Sequence, residues 1–129
     1  MSEQPPLHLE PTLRTFPLPA DTNTQGDIFG GWLMSQMDLA GASIAIRRAK
    51  GRAATISVDA MQFLRPVKVG DEVTLYAHLL EVGRSSMKVE VRAWRRPMSS
   101  EDSEQVTKAT FTFVAIDENG RARPVPPEA

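Results

Sequence analysis

Between residues 30 and 50 apolar side chains recur at intervals of four and three: Leu33, Met37, Ala40 and Ile44 form one stripe, the spacing of an amphipathic α-helix. Arg47, Arg48 and Lys50 stand where cations complement a helix C-terminal dipole, and Gly51 offers a left-handed cap. Beyond the helix the period changes to two. Ile56, Val58 and Ala60 alternate with Ser57, Asp59 and Met61; then come Val73, Leu75, Ala77 and Leu79, next Met87, Val89, Val91 and Ala93, and finally Ala109, Phe111, Phe113 and Ala115. These are four strands, with turns at Gly70-Asp71, Gly83-Arg84-Ser85 and the polar stretch from Ser99 to Glu104. Before the helix, Thr12 to Leu18 reads as a short edge strand, and Pro19 to Gly26 collects turn-forming residues.

The predicted order is strand, long helix and four strands in meander-like succession, an α+β chain. One helix covers a sheet of about five antiparallel strands only if the sheet curls around it. The later strands carry apolar residues on both faces, so further surface is expected to be buried by oligomerisation, at an edge strand or a helix flank. No linker, low-complexity tract or repeat interrupts the centre. Residues 1–129 are therefore expected to form a single domain, with flexible tails at about 1–10 and 121–129.

Composition narrows the chemistry. The 129 residues carry 15 basic and 16 acidic side chains, a net charge of −1, and no cysteine. Without cysteine there is no disulfide scaffold, thiolate zinc site, iron–sulfur cluster or cysteine nucleophile. Near-neutral charge and scattered basic residues give no field for gathering nucleic acid. No apolar run approaches the ~20 residues that span a bilayer, and Met1 to Glu10 lacks the features of a signal peptide, so a cytoplasmic protein with no membrane partner is expected.

The two histidines, His8 and His78, are isolated. A Ser-His-Asp triad or a histidine metal cluster finds little support, and neither nucleotide-binding glycine loop occurs. Asp38 stands out. On a helical wheel it falls beside Met34, Ala42 and Ala45 at the margin of the apolar stripe, where a carboxylate loses water and can serve as a general base; a lone helical aspartate otherwise simply faces solvent. Gly30-Gly31 opens the helix, and free N–H groups there can approach a ligand carbonyl, or merely permit tight packing. Gly31 and Asp38 lie about 10 Å apart at ~1.5 Å per residue, too far to serve one reacting carbon, so a site using both would combine helices from two chains. Gly83-Arg84-Ser85-Ser86 offers a cation, hydroxyls and backbone N–H groups that can hold phosphate, or is a polar hairpin turn. The basic group Arg47, Arg48, Lys50 and Arg52 is explained by solvation of the helix end.

Several of these residues recur in ordered motifs. The segment from Pro19 through Asn23, Gly26-Asp-Ile-Phe-Gly-Gly-Trp-Leu-Met-Ser-Gln-Met-Asp38 to Gly41 closely resembles the YciA-type acyl-CoA thioesterases, which are hotdog-fold proteins. The resemblance continues through Val58 to Phe63, Pro66 to Asp71, Gly83 to Ser86 and Ala109 to Asp117. It implies hydrolysis of an acyl-CoA to a free acid and coenzyme A with no cofactor and no metal. Asp38 matches the family's helical acid, as general base or nucleophile. Gly31, with Gly30, matches an oxyanion-binding helix start supplied by the opposite subunit, and Asn23 a polar residue that orients the carbonyl or the water. Arg84, Ser85 and Ser86 match a turn near the coenzyme A phosphates. The resemblance further implies a dimer with composite sites, assembled as a hexamer, a trimer of dimers. The competing readings are a non-catalytic acyl-CoA or acyl-carrier binding protein, and a hotdog dehydratase, which would need a histidine absent from residues 23–41. Phe29, Trp32, Met34 and Met61 are candidates for closing the acyl tunnel.

Overall fold

The computed structural model describes residues 9–128 together with Pro5. Its elements run β1 (Leu13–Thr15), a 3-10 turn (Pro19–Asp21), α1 (Gly30–Ala49), β2 (Ala53–Phe63), β3 (Glu72–Val82), β4 (Ser86–Arg96) and β5 (Glu104–Ala115). The strands form one antiparallel sheet in the order β1-β3-β4-β5-β2, wrapped around α1. The order of elements follows the periodicities, but β1 is only three residues long. Leu13 to Thr15 find partners at Leu75 to Val73, whereas Phe16 and Leu18 remain exposed beyond them.

The helix seats itself through small residues. Met37, Gly41, Ala45 and Ala49, each four apart, are all buried. A Cβ on Gly41 would lie 3.1 Å from the Phe113 ring, so glycine sets how closely α1 approaches β4 and β5. Ile44, expected in the buried stripe, is only partly buried because the ridge drifts onto Ala45. The left-handed cap falls on Lys50, with φ 54°, rather than on Gly51. Gly51 instead leaves room for the Arg123 guanidinium, whose Nη2 would lie 2.8 Å from an added Cβ.

In β4 and β5 the alternation holds: Met87, Val89, Val91 and Ala93, with Ala109, Phe111, Phe113 and Ala115, are buried against α1. Edge strand β2 departs from it. Its register with β5 shifts between Thr55 and Ser57 and again between Asp59 and Gln62. Ile56 is consequently 58% exposed, Ala60 takes a positive φ of 55°, and Met61 turns back to the core beside Val58. A strand paired on one side only can bulge without breaking a second ladder.

The C-terminal segment, expected as a flexible tail, is tied down. The Arg123 N–H donates to Ala115 O at 2.9 Å, the Val125 N–H to Arg84 O at 2.8 Å, and Arg48 Nη1 to Pro126 O at 2.5 Å. Most of the other expected tail, at 1–10, lies outside the described residues, as does His8.

Candidate active site

A loop, the helix start and the bulged edge strand supply the site. The loop before α1 is closed around Asn23, whose Oδ1 accepts from the Gln25 N–H at 2.9 Å and the Asp27 N–H at 3.1 Å. Gly26 completes the turn with φ 86°. With Oδ1 spent on the loop, only the Asn23 amide N–H groups are left for a ligand carbonyl or water. An ion pair of Lys68 with Asp27, and the Ile28 N–H bond to Val67 O at 2.9 Å, lock the loop to the β2–β3 connection.

Phe29 precedes α1 without capping it by a side chain. The N–H groups of Gly30 and Gly31 have no acceptor among the described residues. The two glycines face different surroundings. A Cβ on Gly30 would press on the Phe63 ring at 3.2 Å, so Gly30 serves close packing, whereas Gly31 looks into open space. Both N–H groups stand at the positive end of the helix dipole, and at Gly31 no neighbouring atom crowds the Cα.

Asp38 is half-buried two turns further on. Its Oδ1 accepts a 2.6 Å hydrogen bond from Thr55 Oγ1 on β2, and Oδ2 has no partner among the described residues. The candidates line two cavities. Asn23 and Gly30 border one of about 390 Å³, walled by Ile28, Phe29, Phe63 and Val67. Gly31 and Asp38 border another of about 290 Å³ with Met34, Thr55, Val58 and Phe111. Of the side chains expected to close an acyl tunnel, Phe29 and Met34 therefore line cavities, while Trp32 and Met61 pack on the core.

Arg84, Ser85 and Ser86 are not brought to either cavity. They form the β3–β4 turn at the opposite end of the sheet from Phe63, since Ser86 pairs with Val114 and Val114 with Ala54 at the start of β2. That register puts them nearer Asp38 than Asn23: Thr55, the partner of Asp38, pairs with Phe113, and Phe113 with Met87. His78 is exposed on β3, 3.7 Å from Glu90, and takes no part.

Residues 25–100, more than half the chain, match the family model of the thioesterase superfamily. The chain belongs to the thioesterase superfamily. Within that superfamily it groups with the YciA proteins, and its fold is the hotdog fold. It is 49% identical over 120 residues to the acyl-CoA thioester hydrolase YciA of Salmonella typhimurium, covering 91% of this chain and 90% of that one. Identity is 51% over 119 residues to an uncharacterized acyl-CoA thioester hydrolase of Haemophilus influenzae, covering 90% of this chain and 77% of the relative. A hexameric thioesterase from Yersinia pestis superposes with a TM-score of 0.87 at 48% identity, over 92% of this chain and 97% of that one. A hexameric hotdog fold thioesterase of Campylobacter jejuni gives 0.85 at 38% identity, over 91% and 90%.

Thr55 was missed in the sequence. A threonine at the start of a strand is ordinary, and only the packing of β2 against α1, 17 residues from Asp38, reveals what its hydroxyl does. The Asp27–Lys68 latch was missed for the same reason, its partners being 41 residues apart.

Proposed function

We propose that the protein is an acyl-CoA thioesterase whose site is shared by two protomers. Asp38 is the general base. It takes a proton from water as the water oxygen attacks the thioester carbonyl carbon; the tetrahedral intermediate then collapses, breaking the C–S bond, and Asp38 gives the proton to the departing thiolate sulfur, releasing the acid and coenzyme A and restoring the carboxylate. Gly31 of the partner subunit, at the uncapped start of its helix, offers its N–H to the developing oxyanion, with Gly30 shaping that turn by its contact with Phe63. The Asn23 amide donates to the carbonyl or the water. Arg84, Ser85 and Ser86 hold the phosphates of coenzyme A.

The observation that carries this reading is the state of Asp38. One carboxylate oxygen is fixed by Thr55, and the other, at the wall of an apolar cavity, has no partner among the described residues. A carboxylate so oriented is aimed rather than merely solvated. Asn23 and Gly30 line a different cavity from Asp38, and Gly31, although it borders the Asp38 cavity, lies about 10 Å along the helix from it, too far to serve one carbon; both observations support a site completed by a second chain. Assembly as a hexamer, as in the Yersinia pestis and Campylobacter jejuni relatives, is the state we infer.

The test is thiol release from acyl-CoAs of graded chain length by wild type and Asp38→Asn at matched oligomeric state. The amide keeps the shape but cannot take the proton, so turnover should fall about 10²–10⁴-fold while ligand is still bound. Wild-type binding without turnover on any acyl-CoA would instead establish a binding protein.

A further inference from the structure

The segment after β5 reverses direction in a tight turn. Asp117 Oδ1 accepts from the N–H groups of Asn119 and Arg121, both at 2.9 Å, and Gly120 supplies the positive φ of 78°. Two arginines hold the returning strap, Arg48 at Pro126 O and Arg123 at its start. Arg123 Nε donates to Ile116 O at 2.9 Å and Nη2 to Ala49 O at 3.0 Å, so a single guanidinium joins the last carbonyl of α1 to the end of β5. A planar fork can span two carbonyls on different elements; an ammonium on a flexible stem holds only a point. Arg123 also brings positive charge to the helix C-terminus, where the dipole favours it.

Two residues beyond the pin, the strap reaches the β3–β4 turn. The Val125 N–H holds Arg84 O at 2.8 Å, while the Ala115 N–H holds Ser85 O at 2.8 Å and the Gly83 N–H closes on Ser86 O at 2.8 Å. The backbone of the turn is thus fixed from outside the hairpin. The Arg84 guanidinium, by contrast, is exposed and has no partner among the described residues. A cation on an immobilised backbone has only its side-chain freedom left to lose on meeting an anion.

We infer that residues 122–126, pinned by Arg123, position the Arg84 turn and thereby set the enzyme's hold on the phosphate-bearing half of its thioester substrate. This rests on the assignment of Arg84 to phosphate under the proposed function. Arg123 is a positioning residue and touches no reacting atom.

The experiment compares one acyl group carried on coenzyme A with the same group on pantetheine, which lacks the nucleotide and its phosphates. KM and kcat are measured for wild type, Arg84→Ala, Arg123→Ala, Arg123→Lys, Val125→Pro and the control Arg121→Ala, all at matched oligomeric state. Arg123→Ala should raise KM for the acyl-CoA roughly tenfold, the scale of one lost contact to a charged group, with kcat held. Its KM for the pantetheine thioester should stay within about twofold, well under one such contact. Arg123→Lys should recover only part of the difference. Val125→Pro, which removes the single N–H bonded to Arg84 and leaves the pin, should shift KM in the same direction. Arg121→Ala removes a charge outside the pin and should change neither substrate. Equal effects of Arg123→Ala and Val125→Pro on both substrates, or no effect on either, would overturn the inference while Arg84→Ala still abolished the preference for coenzyme A. A wild type that does not distinguish the two thioesters would overturn the assignment of Arg84, and the inference with it.

Discussion

β4 and β2 are both 11 residues long and both read as alternating strands, yet they end differently. β4 has a neighbour on each side, and its four inward residues, Met87, Val89, Val91 and Ala93, are wholly buried. β2 has one neighbour, bulges twice, exposes Ile56 and carries a left-handed alanine. The difference teaches where this fold keeps stability and where it holds the residues of the candidate site. A doubly paired strand cannot slip without losing two ladders and turning its apolar face outward. The edge strand is free of that constraint, and it delivers Thr55 to Asp38 and Phe63 to Gly30.

The contrast can be broken most severely from the central side. Phe111→Ala on β5, the neighbour of both strands, should cost about 3–5 kcal/mol in chemical denaturation, because the ring is fully buried and stacks 6.2 Å from that of Phe113. A loss below about 1 kcal/mol would mean that the centre of the sheet is not the stable part. On β2 the largest effect should fall on activity. Thr55→Val removes the bond to Asp38 while preserving shape, and should lower kcat about tenfold with stability changed by less than ~1 kcal/mol. Steady-state kinetics and a melting curve on the same variant read both quantities.

A matched pair sharpens the comparison further. Ala60→Gly relieves a residue at φ 55° and should stabilise by about 0.5 kcal/mol, the strain released exceeding the added chain entropy. Ala93→Gly, the same change at a buried regular position, should destabilise by about 1 kcal/mol. Opposite signs in denaturation midpoints are the expected result.

The smallest effect is at the junction of the two regions. Glu104 opens β5 and meets Arg95 of β4 at 2.8 Å and Arg65, just past β2, at 3.3 Å. The Arg95 hydrogen bond, joined by the positive charges of Arg95 and Arg65 against a desolvation penalty, holds its carboxyl below the ordinary glutamate value of 4.5. A carboxyl lowered in the fold stabilises above its unfolded value and loses that contribution as pH falls through its folded one. The denaturation midpoint should therefore decline below about pH 4.5, and Glu104→Gln should flatten that part of the profile. An unchanged acid limb in the variant would assign the decline to other carboxylates.

Much of the candidate site was legible in the chain. Asp38 stands out as a carboxylate at the edge of an apolar stripe, and Gly30-Gly31 as an unencumbered helix start, because both depend on local helical geometry. Asn23 was legible as polar and loop-borne, but not that its oxygen is consumed by the loop backbone. Neither Thr55 nor the Arg123 pin left a local signal, since each acts on a residue 17 or 74 positions away.

By itself the sequence determined what period and composition can encode: one long helix, four long strands, the inward faces of β3 to β5, and a chemistry without cysteine. Those features follow from interactions within a few residues, where spacing dictates which side chains share a face. Only the tertiary structure decided the bulges of β2, the left-handed Lys50, the anchoring of residues 121–128 and the hydroxyl bonded to Asp38. Each depends on which partner an atom meets after the sheet has closed around the helix, and that information is carried by the packing of distant segments rather than by any one of them.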